Sequence, residues 1–309
     1  MLLSHLGFCS IDASLMKHTK DESPSDFISI DSSDASFLEQ LVTLDNLPIR
    51  TFSSCSIFYV KKNQSNAKAI INNINSKTGL EESFYDFLQS LGSIVEVVSN
   101  PDEKSESSEG SDAPKANKDL LKRLDKINGI DSIFYWADIS SEIAFYLPNS
   151  AEMTEPLDEG FKAKNLSMPP DIKVLVIWLE QMQDADSVPI DELLHETHSY
   201  ENYSNQKPKE TIIIFINPMK SKMHRVIIWN NITKKYFYTM PLVDGMMVSS
   251  RMISVMVRQT VLNIFRRKRL EIDDYQPPHV RRKNKITEMI KKFQSKKSEA
   301  DYYTSLLMD

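Results

Sequence analysis

The chain has 309 residues, 41% hydrophobic and 26% charged, an ordinary balance for a globular protein long enough to bury a substantial core. Its net charge of −6 is unevenly spread: Arg251 to Lys297 holds 14 Lys and Arg against 4 Asp and Glu, a local +10 that leaves −16 for the rest. Only 7 Gly occur and neither G-x-x-x-x-G-K-[ST] nor G-x-G-x-x-G can be assembled, which excludes the nucleotide-cradling loops that need glycine for close backbone approach.

Cys9 and Cys55 lie far apart and outside any C-x-x-C, so neither a disulfide framework nor a zinc ribbon is expected, and a reducing cytoplasm suits this usage. No apolar run approaches the roughly 20 residues that span a bilayer, and the first ten residues lack the basic start of a signal peptide. A soluble, cytoplasmic chain without cofactor or metal is the expectation.

In chain order, residues 1–35 read as a helical remnant, apolar at Leu2, Leu3 and Leu6, followed by a Ser- and Asp-rich connector. The start looks like the end of something longer. Apolar runs rich in β-branched and aromatic residues then recur at 55–60, 94–98, 132–147 (two strands), 173–179, 211–216 and 224–229, predicting at least seven strands. Their near-continuous apolar character predicts a sheet covered on both faces. Between the first two, Ala67, Ile70, Ile71 and Ile74 share one face of a predicted helix over 63–75. Phe84, Phe87, Leu88 and Leu91 share one face of another over 80–91, with Thr78 and Glu81 at capping-box spacing and Gly92 closing it. Strand, helix, helix, strand predicts an α/β fold. The polar stretch 101–118 reads as a disordered surface loop and 195–210 as a polar loop between strands.

The strongest predicted helix runs from about Val248 to Leu270, with Ile253, Met256, Val257, Ile264 and Phe265 at helical spacing; Met246, Met247, Met252 and Met256 read as core or, alternatively, a partner groove. Pro277-Pro278 stops it. Beyond, Ile286, Met289, Ile290 and Phe293 form a short stripe on a basic helix from about Asn284.

Candidates for chemistry are few. His195 and His198 are three residues apart, whereas zinc-binding H-E-x-x-H needs i and i+4 on a helix, so no metal site is assigned. No G-x-S-x-G elbow exists and neither Cys has a neighbouring His. Arg266, Arg267, Lys268 and Arg269, with Arg281 and Arg282, form basic clusters. With only Phe265 and Tyr275 nearby as stacking aromatics, they favour an acidic protein surface over nucleic acid. Arg251 and Arg258 on the long helix join them as candidate partner-interface residues, or complete the domain's own packing.

The segment from Pro241 to Phe293 resembles the Rap-GAP domain family, which includes tuberin and the Rap GTPase-activating proteins. Pro241 to Asn263 is similar to the wide family, whereas RRKRLE at 266–271 and PPHVRRK at 277–283 resemble the beta-type subunits of the heterodimeric Ral GTPase-activating complexes. Tyr85, Phe87 to Gly92 and Ile94 onward are similar to the family's helix and strand upstream. The resemblance implies an α/β dimerisation subdomain over 36–130 packed on a catalytic-like subdomain over 131–275, then a basic C-terminal helix and tail over 276–309.

Catalytic members of the family are similar in carrying an asparagine thumb, in a phrase like K-R-H-I-G-N-D before a strand like V-x-I-V-W. Its carboxamide positions the water that attacks the γ-phosphate, which requires a neutral group that both donates and accepts. Here the strand is present at Val174 to Trp178, but counting back puts Pro170 at the family Gly and Asp171 at the Asn. A Pro pair breaks a helix and a carboxylate adds like charge beside a triphosphate. Asn165 is the nearby substitute. The resemblance therefore implies a pseudo-GAP, a regulatory subunit whose partners are a catalytic alpha subunit and Ral or a related Ras-like GTPase. The alternatives are a chain that itself activates a small GTPase through Asn165, and a membrane or nucleic-acid binder acting through the basic appendix.

Overall fold

The structure is a computed structural model that describes residues 30–31, 34–76, 79–96, 132–148, 172–201, 210–232 and 240–295. In chain order the elements begin with helix α1 (Ala35–Asp45), strand β1 (Thr51–Val60), and helices α2 (Ala67–Ser76) and α3 (Glu82–Leu91). Strands β2 (Ser93–Glu96), β3 (Ser132–Ala137), β4 (Ser141–Tyr146) and β5 (Ile172–Leu179) follow, then a 3-10 helix (Met182–Ser187) and helix α4 (Ile190–Glu201). Strands β6 (Glu210–Pro218), β7 (Met223–Asn230) and β8 (Met247–Ser249) precede helices α5 (Ile253–Arg269) and α6 (Pro278–Phe293). Two units result, one of residues 50–275 and a smaller one of residues 1–49 with 276–309.

In the larger unit, all eight strands join one sheet in the order β2-β3-β4-β1-β5-β6-β7-β8. Segments 36–130 and 131–275 thus both contribute strands to it. The central four, β4-β1-β5-β6, are parallel, and the flanking pairs are antiparallel. Both faces of the four central strands are buried, as the continuous apolar runs predict. Alternate residues of β1 divide between two cores: Ile57 and Tyr59 meet α3 and α5, while Phe58 and Val60 meet α2 and α4. The smaller unit packs α1 on α6 through Leu44, Met289 and Phe293, with Phe37 edge-on to Phe293 at 5.4 Å.

The α/β class and the predicted strands stand; the differences are local and have physical causes. The helix expected from Val248 begins at Ile253, because Met247–Ser249 pair with β7 and the Ser250 hydroxyl donates to the Lys222 carbonyl at 2.8 Å. Residues 195–201, read as loop, continue α4, whose first turns are anchored by buried Leu193 and Leu194. Helix α2 starts at Ala67 rather than 63, since Asn63 is left-handed at φ 57 and Asn66 caps the Ala69 amide at 3.0 Å. Helix α6 starts at the Pro pair rather than near Asn284: Pro278 sits in its first turn, where a missing N–H costs nothing. Helix α1 and β8 had no counterpart in the reading. The loop expected at 101–118 lies outside the described residues.

Gly92 ends α3, but its φ of 177° is extended backbone open to any residue. The demand there is spatial, because a Cβ would stand 2.4 Å from the Tyr135 carbonyl oxygen on β3. Gly92→Ala is expected to destabilise the chain by about 1–3 kcal/mol, the usual cost of overpacking against backbone, measured as a lowered urea midpoint.

Candidate functional site

The four parallel strands begin at one edge of the sheet, at Ser141, Thr51, Ile172 and Glu210. The thumb position precedes β5 in sequence; Asn165, Pro170 and Asp171 themselves lie outside the described residues. What this edge can do is set by the charged side chains around it. Arg50 Nε donates to the Asp138 carbonyl at 2.5 Å and the Thr51 hydroxyl donates to the Ser140 carbonyl at 3.1 Å. The Asp138 carboxylate accepts from the amides of Ser140 at 2.7 Å and Ser141 at 2.6 Å, tying the β3–β4 turn. Burial opposes the Asp138 charge, but those amides, the Ser140 hydroxyl and Arg266 outweigh it and hold the carboxyl below its ordinary range. Nearby the Tyr135 hydroxyl donates to Glu142, and burial followed by that carboxylate raises its pKa.

The last turn of α5 closes the same edge. Lys268 is buried and ion-paired with Glu210 and, at 3.0 Å, with Glu271; burial pulls its pKa down, and the two carboxylates more than offset it and raise it. Arg269, 4% exposed, donates to the Phe52 carbonyl in β1. Burial lowers its pKa, yet a guanidinium stays charged. The run that reads in sequence as one basic patch is therefore split: Arg266 and Arg267 face outward while Lys268 and Arg269 lock the helix end.

The other candidates divide in the same way. Arg258 donates to the carbonyls of Ser90 at 3.2 Å and Leu91 at 2.7 Å and lies 4.6 Å over the Trp136 ring, with burial lowering its pKa. Arg282 caps the end of α1 through the carbonyls of Leu44 at 2.7 Å and Leu47 at 3.0 Å. Arg251 and Arg281 are exposed. Among the Met residues, Met256 and Met246 pack against the core, whereas Met247 is 60% and Met252 48% exposed.

A second polar cluster, absent from the sequence reading, sits at the carboxyl ends of β1 and β5. The Tyr59 hydroxyl donates to Glu180 Oε1 at 2.8 Å and accepts from the Glu81 amide at 3.2 Å, while Glu180 Oε2 accepts from the Lys62 amide at 3.0 Å. The capping box is not formed: Glu81 is itself the N-cap without a side-chain cap, and its carboxylate accepts from Trp178 Nε1 at 3.5 Å. Burial raises the pKa of both Tyr59 and Glu81, with Glu180 contributing to each. Trp178 also meets the ring of His224 at 5.1 Å. His224 is 2% exposed, and neither ring nitrogen makes a hydrogen bond. Among the described residues, no group of three His, Cys, Asp or Glu stands where it could hold a metal ion, and no helix is long and apolar enough to cross a membrane.

An α/β sheet domain with its charged edge tied to its own helix is the class of protein that results. The chain is similar over its whole length to Ral GTPase-activating protein subunit beta of Homo sapiens, 31% identical over 379 residues covering 100% of this chain and 25% of that protein. Ral GTPase-activating protein subunit alpha-1 of Homo sapiens is 24% identical over 241 residues, 77% of this chain and 10% of that protein. The solved TSC2 GAP domain matches 69% of this chain and 95% of its own at a TM-score of 0.36 and 18% identity, too loose a likeness to bear on function. No family model matches. The chain is thus a relative of the Ral GTPase-activating protein beta subunits, as the resemblance from Pro241 to Phe293 implies, and it spans about a quarter of their length.

Two outcomes test the inward and outward assignments. Arg269→Met is expected to cost about 1.5–3 kcal/mol, the worth of a charge-assisted bond, whereas Arg251→Ala and Arg281→Ala stay within about 0.5 kcal/mol; chemical denaturation separates them. For His224, burial is the dominant effect and lowers the folded pKa. The unfolded chain therefore takes up a proton first, so stability is full above about pH 6.5 and is lost as pH falls toward the folded value. His224→Phe is expected to flatten that loss by up to about 1.4 kcal/mol per pH unit, read from urea midpoints of both proteins between pH 7 and pH 5.

Proposed function

We propose that the chain is part of a non-catalytic, regulatory subunit of a cytoplasmic, heterodimeric Ral GTPase-activating complex, supporting an alpha-type subunit as it stimulates GTP hydrolysis by Ral. The observation that carries this reading is similarity to beta subunits over the whole chain at 31% identity. Two features of the residues support it. Asp171 and Pro170 occupy the positions where the thumb phrase would place Asn and Gly. Lys268 and Arg269, two of the cations beside the start of the parallel strands, are held by Glu210, Glu271 and the Phe52 carbonyl, which leaves these two unable to reach for a phosphate without breaking the fold. A regulatory subunit acts through surfaces rather than through such a site.

Single-turnover GTP hydrolysis by purified Ral is the test. The chain alone is expected to leave the rate unchanged, and a Ral GTPase-activating protein alpha subunit with the chain is expected to exceed the alpha subunit alone. Acceleration by the chain alone, abolished in Asn165→Ala, would overturn the reading in favour of a GTPase activator in its own right.

A further inference from the structure

The second face of the sheet is covered unevenly. Helix α2 covers β1 and the 3-10 helix with α4 covers β5 and β6, through Val188, Leu193 and Leu194, but the cover thins at β7. There Arg225, Ile227 and Trp229 alternate onto that face, with Ile227 half-buried against the α4 core and Trp229 46% exposed. In the β7–β8 ladder Met247 stands opposite Arg225 and so shares the face, 60% exposed. Met219, on the β6–β7 hairpin, is 40% exposed. Trp229 and Met247 left in water on a sheet face, with Met219 exposed on the adjoining hairpin, form the kind of patch that marks an interaction site, and these residue types are over-represented at interface centres.

On β7, β8 and the segments joining them the charge is mostly positive. Lys220, Lys222, Arg225 and Arg251 are exposed around the patch, and the Ser250–Lys222 contact holds the residue before Arg251 against the hairpin. Across residues 219–232 and 240–252 the one carboxylate is Asp244, and it accepts from the Ile228 amide at 2.9 Å. In a chain of net charge −6, four exposed cations against the one carboxylate of these two segments, itself engaged by the Ile228 amide, are a local inversion.

We propose that this face, centred on Trp229 and Met247, is the docking surface for an acid-flanked amphipathic helix of the alpha-type partner subunit. The proposal rests on the regulatory-subunit reading above. The partner helix would supply the layer that α2 and α4 leave incomplete, its apolar stripe on Trp229, Ile227 and Met247 and its carboxylates on the basic rim.

The test measures binding of a purified Ral GTPase-activating protein alpha subunit to the full 309-residue chain by calorimetry. Trp229→Glu and Met247→Glu are each expected to weaken binding at least about tenfold. The double charge reversal Lys222→Glu with Arg225→Glu, on exposed side chains, is expected to weaken it comparably and to reduce its salt dependence. Arg281→Glu, in the other unit, is the control expected to bind as the unmodified chain does. Circular dichroism confirms that each variant is folded. Equal binding by the charge-reversed chain would overturn the surface and leave the regulatory-subunit reading intact. No binding by the unmodified chain would overturn both. Self-association of the unmodified chain in sedimentation that Trp229→Glu abolishes, with alpha-subunit binding retained, would assign the face to a second copy of this chain and overturn the proposal.

Discussion

A cation drawn out of water must meet acceptors, and α5 carries three such groups, Arg258 partly buried and Lys268 and Arg269 buried. Arg258 reaches the last carbonyls of α3, where a helix end is partly negative, Lys268 reaches Glu210 at the start of β6, and Arg269 reaches Phe52 in β1. Between these anchors Val257, Val261, Ile264 and Phe265 seal the helix against the sheet. Apolar packing alone would tolerate a shift of the helix by a turn, because the stripe repeats. Three cations tied to three separate elements do not, since any shift strands at least two of them in a poorly solvated interior. The register of α5 on the sheet, and with it the placement of β8 and the basic rim, follows from that requirement.

The strands were legible because a sheet buried on both faces leaves long apolar runs that few other structures produce. What escaped did so for definite reasons. Strand β8 is three residues long, and Val248 continues the helical spacing of Met252 and Met256, so periodicity merged it into the helix. Helix α1 turns Leu38 and Val42 to solvent, and its buried hydrophobic residue is Leu44, so its apolar positions did not mark an inward face. The polar end of α4 belongs to a helix that Leu193 and Leu194, buried in its first turns, anchor to the sheet. Glu81 sat at a capping-box spacing, yet Trp178, nearly a hundred residues away, competes for its carboxylate.

At the site, composition showed the basic run but not its direction. The signal was present: Val261 and Phe265 are core, and Lys268 and Arg269 continue that stripe at i+3 and i+4 from Phe265, while Arg266 and Arg267 fall on the other side. Reading the run as uniform patch overcounted the charge available at the surface.

That overcount bears on the choice of partner. A polyanion such as nucleic acid rewards cations arrayed along one continuous track. In the larger unit the exposed arginines at either end of α5, Arg251 and Arg266, are separated by roughly 20 Å of helix at 1.5 Å per residue. At physiological salt, where charges are screened over about 8 Å, the two ends act as independent local fields. Each can be matched by a few carboxylates on a folded surface, whereas a phosphate backbone would find the track between them broken by Arg258, which is turned onto the Ser90 and Leu91 carbonyls. Local charge set beside exposed Trp229 and Met247 is better suited to choosing one protein surface than to gripping a polymer, and this favours a subunit partner for the proposed role.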